Sequence, residues 1–147
     1  MKDIVDETIH WQGTSFRTRL STQETGGAMC IVESVTPVNW GPPRHVHDAE
    51  DECFVVLSGE LLVWVAGETR RLGPGQSAFI PRGTEHTFQT IGEKPCRHLV
   101  ILTPGGFEGF FADMALGQFD IPGDMGAIEE SAGRHNLRFT GPPLEVA

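Results

Sequence analysis

Apolar residues in the middle of this chain come in short runs rather than long stripes. The runs are AMCIVESVT (28–36), ECFVVL (52–57), LLVWVA (61–66), SAFI (77–80), HTFQTI (86–91) and CRHLVIL (96–102). They are rich in β-branched and aromatic residues, the composition of strands. Between them stand WGPP, SGE, GET, LGPG, PRGTE and GEKP, each containing Gly, which makes tight turns or ends a strand. No helical pattern interrupts the series, so the strands are expected to pair antiparallel, in an all-β barrel or sandwich.

The flanks read differently. Residues 1–27 are polar and weakly periodic, an N-terminal arm with room for one edge strand at TSFRTRL. In residues 104–147, Phe107, Phe110, Phe111 and Met114 fall at i, i+3, i+4 and i+7, one face of a helix, with Glu108 and Asp113 off that face. This helix is expected to cover an open barrel end or a partner subunit. A second short helix is expected over Asp124–His135 with Asp124 as its cap. The ending LRFTGPPLEV is extended, because Pro142 and Pro143 cannot continue a helix. The organisation is thus an arm (1–27), a barrel (28–103) and a C-terminal tail (104–147).

Composition narrows the function. The chain has 147 residues, of which 39% are hydrophobic and 21% charged, as expected of one globular domain. Eleven Lys and Arg face twenty Asp and Glu, a net charge of −9, which repels phosphate backbones and argues against a nucleic-acid partner. No run of about 18 apolar residues suggests a membrane span. The start MKDIVDETIH lacks an apolar signal region, so a cytoplasmic protein is expected. Cys30, Cys53 and Cys96 form neither a disulfide framework nor a CxxC pair and read as small buried hydrophobes. Tyrosine is absent, so no phenol side chain serves as acid or radical site.

The chemistry concentrates in two segments. In GPPRHVHDAEDECFVVLSG (41–59), His45 and His47 are two apart, so on a strand both imidazoles point to one side. Glu52 has the wrong parity to join them on an unbroken strand, but the intervening DAED is a loop that resets the alternation. If the strand restarts at Glu52, Phe54 and Val56 share its face as an apolar wall. In GQSAFIPRGTEHTFQT (75–90), a turn at Pro81 and Gly83 precedes His86, and Phe88 and Thr90 follow it on the same face. Three neutral imidazoles and one carboxylate suit one divalent transition metal ion: Fe, Mn, Ni, Co, Cu or Zn. Four such ligands on a six-coordinate ion would leave two positions for substrate, water or dioxygen.

These segments resemble the two motifs of the cupin family. The first, Gly, five residues, His-x-His, three or four residues, Glu, six residues, Gly, is matched by His45, His47, Glu52 and Gly59. Gly41 is displaced, with three residues before His45 instead of five. The second, Gly, five residues, Pro-x-Gly, two residues, His, three residues, Asn, is matched by Gly75, Pro81, Gly83 and His86, with Thr90 in place of Asn. The resemblance implies a double-stranded β-helix (jelly-roll) barrel with short C-terminal helices. It assigns His45, His47 and His86 as nitrogen ligands and Glu52 as oxygen ligand, with Asp51 as the alternative carboxylate. The tail TPGGFEGFF and the ending GPPL look similar to bacterial single-domain cupins of the quercetin 2,3-dioxygenase-like group.

That resemblance implies a metal-dependent, dioxygenase-like oxidoreductase for a small phenolic or enolic substrate, with Glu52 as catalytic proton acceptor. Two alternatives stand beside it: a redox-neutral isomerase, cyclase or lyase, and a non-catalytic metabolite binder. A homodimer is also implied. Candidate pocket residues are Trp40, Phe54, Val56, Phe79, Phe88 and His98, although His98 also reads as a partly exposed or satisfied core histidine. Asp48, Glu50 and Asp51 read as a solvated acidic face, and Trp64 as barrel packing.

Overall fold

The computed structural model describes residues 7–146. Among them eleven strands precede, follow or flank two helices. In chain order the strands are β1 (Thr8–Trp11), β2 (Thr14–Leu20), β3 (Cys30–Thr36), β4 (Arg44–His47), β5 (Asp51–Ser58), β6 (Glu60–Val65), β7 (Glu68–Leu72), β8 (Ser77–Ile80), β9 (His86–Ile91), β10 (Cys96–Thr103) and β11 (Leu137–Gly141). The helices α1 (Glu108–Gly117) and α2 (Met125–Arg134) lie between β10 and β11. No helix among the described residues is long and apolar enough to cross a membrane.

The strands form two antiparallel sheets, β1-β2-β3-β10-β5-β8 and β11-β4-β9-β6-β7. Together they make a double-stranded β-helix, with the inward side chains of both sheets filling the space between. Alternation selects those side chains. Cys30, Val32, Ser34 and Thr36 point inward from β3, Glu52, Phe54 and Val56 from β5, and Cys96, His98, Val100 and Leu102 from β10. Registry aligns them in rows across the sheet: Leu102 beside Glu52, Val100 beside Phe54, and His98 beside Val56 on one flank and Ser34 on the other.

Several expectations need correction. The N-terminal segment supplies two strands, not one. β1 and β2 form a hairpin that extends the first sheet past β3, and Trp11 and Phe16 bury their rings inside. The arm expectation for residues 1–6 lies outside the described residues. Strand β7 has no apolar run because four of its five residues are exposed and only Leu72 is buried. Asp124 does precede α2, but its side chain does not cap that helix; it accepts a hydrogen bond from Asp120 N–H at 2.8 Å. Phe107 stands just ahead of α1. It is buried with Phe110 and Met114, while Phe111 is half-buried against Phe16.

Two links hold the sheets in place around the site. Residues 39–41 dock on the end of β9, where Asn39 N–H donates to Thr90 O (2.9 Å) and Thr90 N–H to Trp40 O (3.0 Å). There Gly41 approaches so closely that a Cβ would sit 1.8 Å from Phe88 O. Thr90, in place of the motif's Asn, donates from its hydroxyl to Thr36 O at 3.3 Å and ties β9 to the opposite sheet. The displaced Gly41 is therefore a close-approach glycine that sets the start of β4. Gly41→Ala should cost about 1–3 kcal/mol, a drop of several degrees in a thermal melt. Gly126→Ala, at a position with no atom within 4 Å of the added Cβ, should be neutral or stabilising by up to ~1 kcal/mol.

Candidate metal centre

His45 and His47 stand on β4, His86 on β9, and Glu52 on β5 of the other sheet. His45 pairs directly with His86 across β4 and β9. The loop at 48–50 turns the chain from one sheet to the other, which is how Glu52 comes to face the imidazoles despite its parity. All four are buried, and one donor atom from each lies within 4.8 Å of the others. Glu52 Oε1 is 2.8 Å from His86 Nε2, and Oε2 is 3.4 Å from His47 Nε2.

Backbone carbonyls orient two of the rings. His45 Nδ1 lies 2.7 Å from Pro43 O and His86 Nδ1 2.9 Å from Thr84 O. A carbonyl only accepts, so both Nδ1 atoms carry the proton and both Nε2 lone pairs face the centre. His86 Nε2 and a Glu52 oxygen are then two acceptors at 2.8 Å, an arrangement that needs a proton or a cation between them. The donor set therefore fits a divalent transition metal. Burial opposes the Glu52 charge, but His47, His86 and His45 outweigh it and hold the carboxyl at about 2. Burial also favours neutral His86, yet its hydrogen bond to Glu52 raises its pKa. Burial, reinforced by the neighbouring His86 and His47, lowers His45 to about 3.

The acidic neighbours separate. Asp51 points outward, where its bond to Arg82 holds its pKa below the usual range. Asp48 pairs with Arg138 at 2.8 Å. Both are surface residues, so Asp51 is no alternative ligand. Glu50 departs from the expected solvated face: it is 4% exposed, and its Oε1 lies 3.8 Å from His47 Nδ1 with neither atom hydrogen-bonded. Sequence reading missed this carboxylate behind the third imidazole, because inside an acidic run nothing distinguishes one buried member.

A cavity opens from His45, His47 and Glu52 into the barrel. It offers about 80 Å³ to the centres of water-sized molecules, several times the ~10–15 Å³ that admits one water, so it can take a ligand. Trp40, Phe54, Phe88 and His98 are among the residues that line it. Two candidates do not. Phe79 is 62% exposed, because in β8 only Ala78 and Ile80 point inward. Val56 points inward but is packed in the core away from the cavity. Trp64 also lies outside the cavity, beneath the Arg44 guanidinium at 4.6 Å. His98 is neither exposed nor satisfied: it is fully buried with no hydrogen bond at either nitrogen. Phe107, Phe110 and Phe111 close the cavity from α1, and Trp11 and Phe16 from the N-terminal hairpin. Their helical spacing signals a buried face, but not that the face borders the metal centre. Phe107 reaches the His47 ring edge-to-face at 4.5 Å.

A double-stranded β-helix with a buried three-histidine, one-carboxylate cluster defines a barrel protein whose interior could hold a metal ion. Residues 32–102 match the cupin domain family model. The chain belongs to the cupin superfamily. It is 29% identical over 89 residues to quercetin 2,3-dioxygenase of Bacillus subtilis (strain 168), covering 60% of this chain and 26% of that protein. It is 29% identical over 103 residues to the tetracenomycin polyketide synthase protein TcmJ of Streptomyces glaucescens, covering 65% and 64%. Among solved structures, the polyketide cyclase RemF from Streptomyces resistomycificus aligns with a TM-score of 0.57 at 28% identity, covering 70% of this chain and 79% of that one. The chain thus spans about a quarter of the Bacillus relative and just under two thirds of TcmJ.

Elemental analysis of freshly purified protein should find close to one divalent metal per chain. Glu52→Ala and His86→Ala should lose most of it. Glu50→Ala, which leaves all four donors, should weaken affinity by about 10-fold or more. A second outcome concerns acid. His98 is held by burial at about 4, against 6.5 for the free group. The unfolded chain therefore binds a proton that the folded chain refuses as pH falls through that window, and stability drops. Urea melts of metal-free protein from pH 7 to pH 4 should show wild type losing about 3 kcal/mol more than His98→Leu.

Proposed function

We propose that this chain is a metal-dependent enzyme of the dioxygenase type, acting on a small phenolic or enolic substrate. The observation that carries this reading is the position of Glu52, an ionised carboxylate at the junction of a metal-binding cluster and a closed aromatic chamber. His45, His47, Glu52 and His86 would hold the ion, which supplies Lewis-acid polarisation of a substrate oxygen.

The chain's own groups do the rest. The neighbouring imidazoles keep Glu52 ionised, so it is placed to accept the proton of a phenol or enol hydroxyl whose oxygen the ion would polarise; an unactivated C–H is far too weak an acid to give its proton to a carboxylate. Phe54 and Phe88 stack as an edge-to-face pair at 5.3 Å along one wall, against which a planar substrate ring would pack. The Phe107, Phe110 and Phe111 cover keeps water from the deprotonated substrate. The enolate is then the nucleophile towards dioxygen.

A redox-neutral cyclisation is the second reading. It is favoured by the similarity to RemF and TcmJ, which extends over more of those proteins than the similarity to the Bacillus dioxygenase does. In that case the same enolate attacks a carbonyl within the substrate. Incubating metal-loaded protein with quercetin and smaller phenolic ketones, with and without oxygen, separates the two. The first reading expects oxygen uptake matched to substrate loss, and Glu52→Gln with its metal content restored should fall by about 10²–10⁴ in kcat. Oxygen-independent conversion, including with Zn²⁺, would favour cyclisation. If no metal form consumes any substrate in either atmosphere, the catalytic proposal fails.

A further inference from the structure

The end of the chamber away from the four clustered residues carries polar groups that the metal centre does not use. His98 on β10 is fully buried, and neither ring nitrogen has a hydrogen-bond partner among the described residues. Aromatic edges hold the ring, with Phe54 at 5.6 Å and Phe88 at 5.1 Å. Ser34 on β3 is its cross-strand neighbour, and the Ser34 and Thr36 hydroxyls lie 3.3 Å apart. Thr14 on β2 is 1% exposed and its Oγ1 has no hydrogen-bond partner among the described residues. All four line the same cavity as Glu52. Three adjacent strands therefore present one imidazole and three hydroxyls to a space otherwise walled mostly by aromatic and aliphatic side chains.

Buried polar atoms are rarely left unpaired, because stripping them of water without a new partner is unfavourable. A neutral imidazole offers one donor and one acceptor, and each hydroxyl offers both. No charged group belongs to this set. A carboxylate or phosphate placed here would be buried without a counter-charge, whereas an uncharged hydroxyl or carbonyl would be matched.

We infer that His98, with Ser34, Thr36 and Thr14, forms a distal subsite for an uncharged hydroxyl or carbonyl at the far end of an elongated aromatic substrate. The assignment of the near end to Glu52 rests on the function proposed above. The spacing fits such a molecule. His98 pairs with Val56, four residues along β5 from Glu52, a backbone separation of roughly 13 Å at ~3.3 Å per residue. The Phe54 ring lies between, in contact with both the His98 and His86 rings at 5.6 and 6.4 Å. A single ring reaches one end only, while two fused rings with oxygens at opposite ends reach both.

The test compares 2-naphthol with 2,6-dihydroxynaphthalene as ligands of the metal-loaded full chain, by calorimetry or fluorescence. Wild type should bind the diol about tenfold more tightly, the worth of one good hydrogen bond to otherwise unpaired groups. His98→Leu should remove that preference and leave 2-naphthol affinity within about twofold, and His98→Gln should restore part of it. Should His98→Leu fail to fold, Ser34→Ala should reduce the preference. Equal binding of the two probes by wild type, binding of neither, or a preference that survives in His98→Leu and Ser34→Ala overturns the subsite. A diol preference in a protein that consumes no substrate would instead leave the subsite standing and remove the enzymatic reading.

Discussion

A buried carboxylate from one sheet faces three buried imidazoles from the other. That opposition governs the rest of the molecule. A lone buried carboxylate would take up a proton and become neutral. Here the imidazoles keep Glu52 ionised against the pull of burial. The balance holds only while the sheets keep their spacing, so it depends on groups that carry no chemistry. The Thr90 hydroxyl bridges the layers, and Gly41 lets the chain entering β4 lie flush on β9.

The chamber beyond this cluster is assembled from parts distant in the chain. The barrel strands furnish the floor, and the cover comes from the N-terminal hairpin and α1. The two cover pieces are tied together, since Trp11 donates from its indole to Phe119 O at 2.8 Å and Glu108 accepts from Thr22 N–H at 2.8 Å. The result is a cavity with two chemical poles and an aromatic middle.

Much of this was legible in the residues. Turn-separated apolar runs located six of the barrel strands, and motif spacing brought together four side chains spread over residues 45–86. The failures share a cause. β7 was missed because both its faces are mostly solvated, which leaves no periodic signal. Phe79 was placed inside because an aromatic on a strand suggests burial, whereas in SAFI its small neighbours hold the inward positions. Burial of Glu50 could not be read locally at all, for it lies in an acidic run and arises from contacts with other strands. A sequence shows alternation within a strand, but which face looks into a cavity is a property of the closed barrel.

The imidazoles of His45 and His86 are steered by main-chain oxygens only two residues upstream, at Pro43 and Thr84. Their aim is thus set in good part by short stretches of backbone. Substitutions at Phe88 or His98, whose rings pack on each other and on Phe54, can remodel what the interior accepts while those two ring nitrogens stay on target. Such insulation lets the chamber lining change without moving the ring nitrogens that could hold a metal.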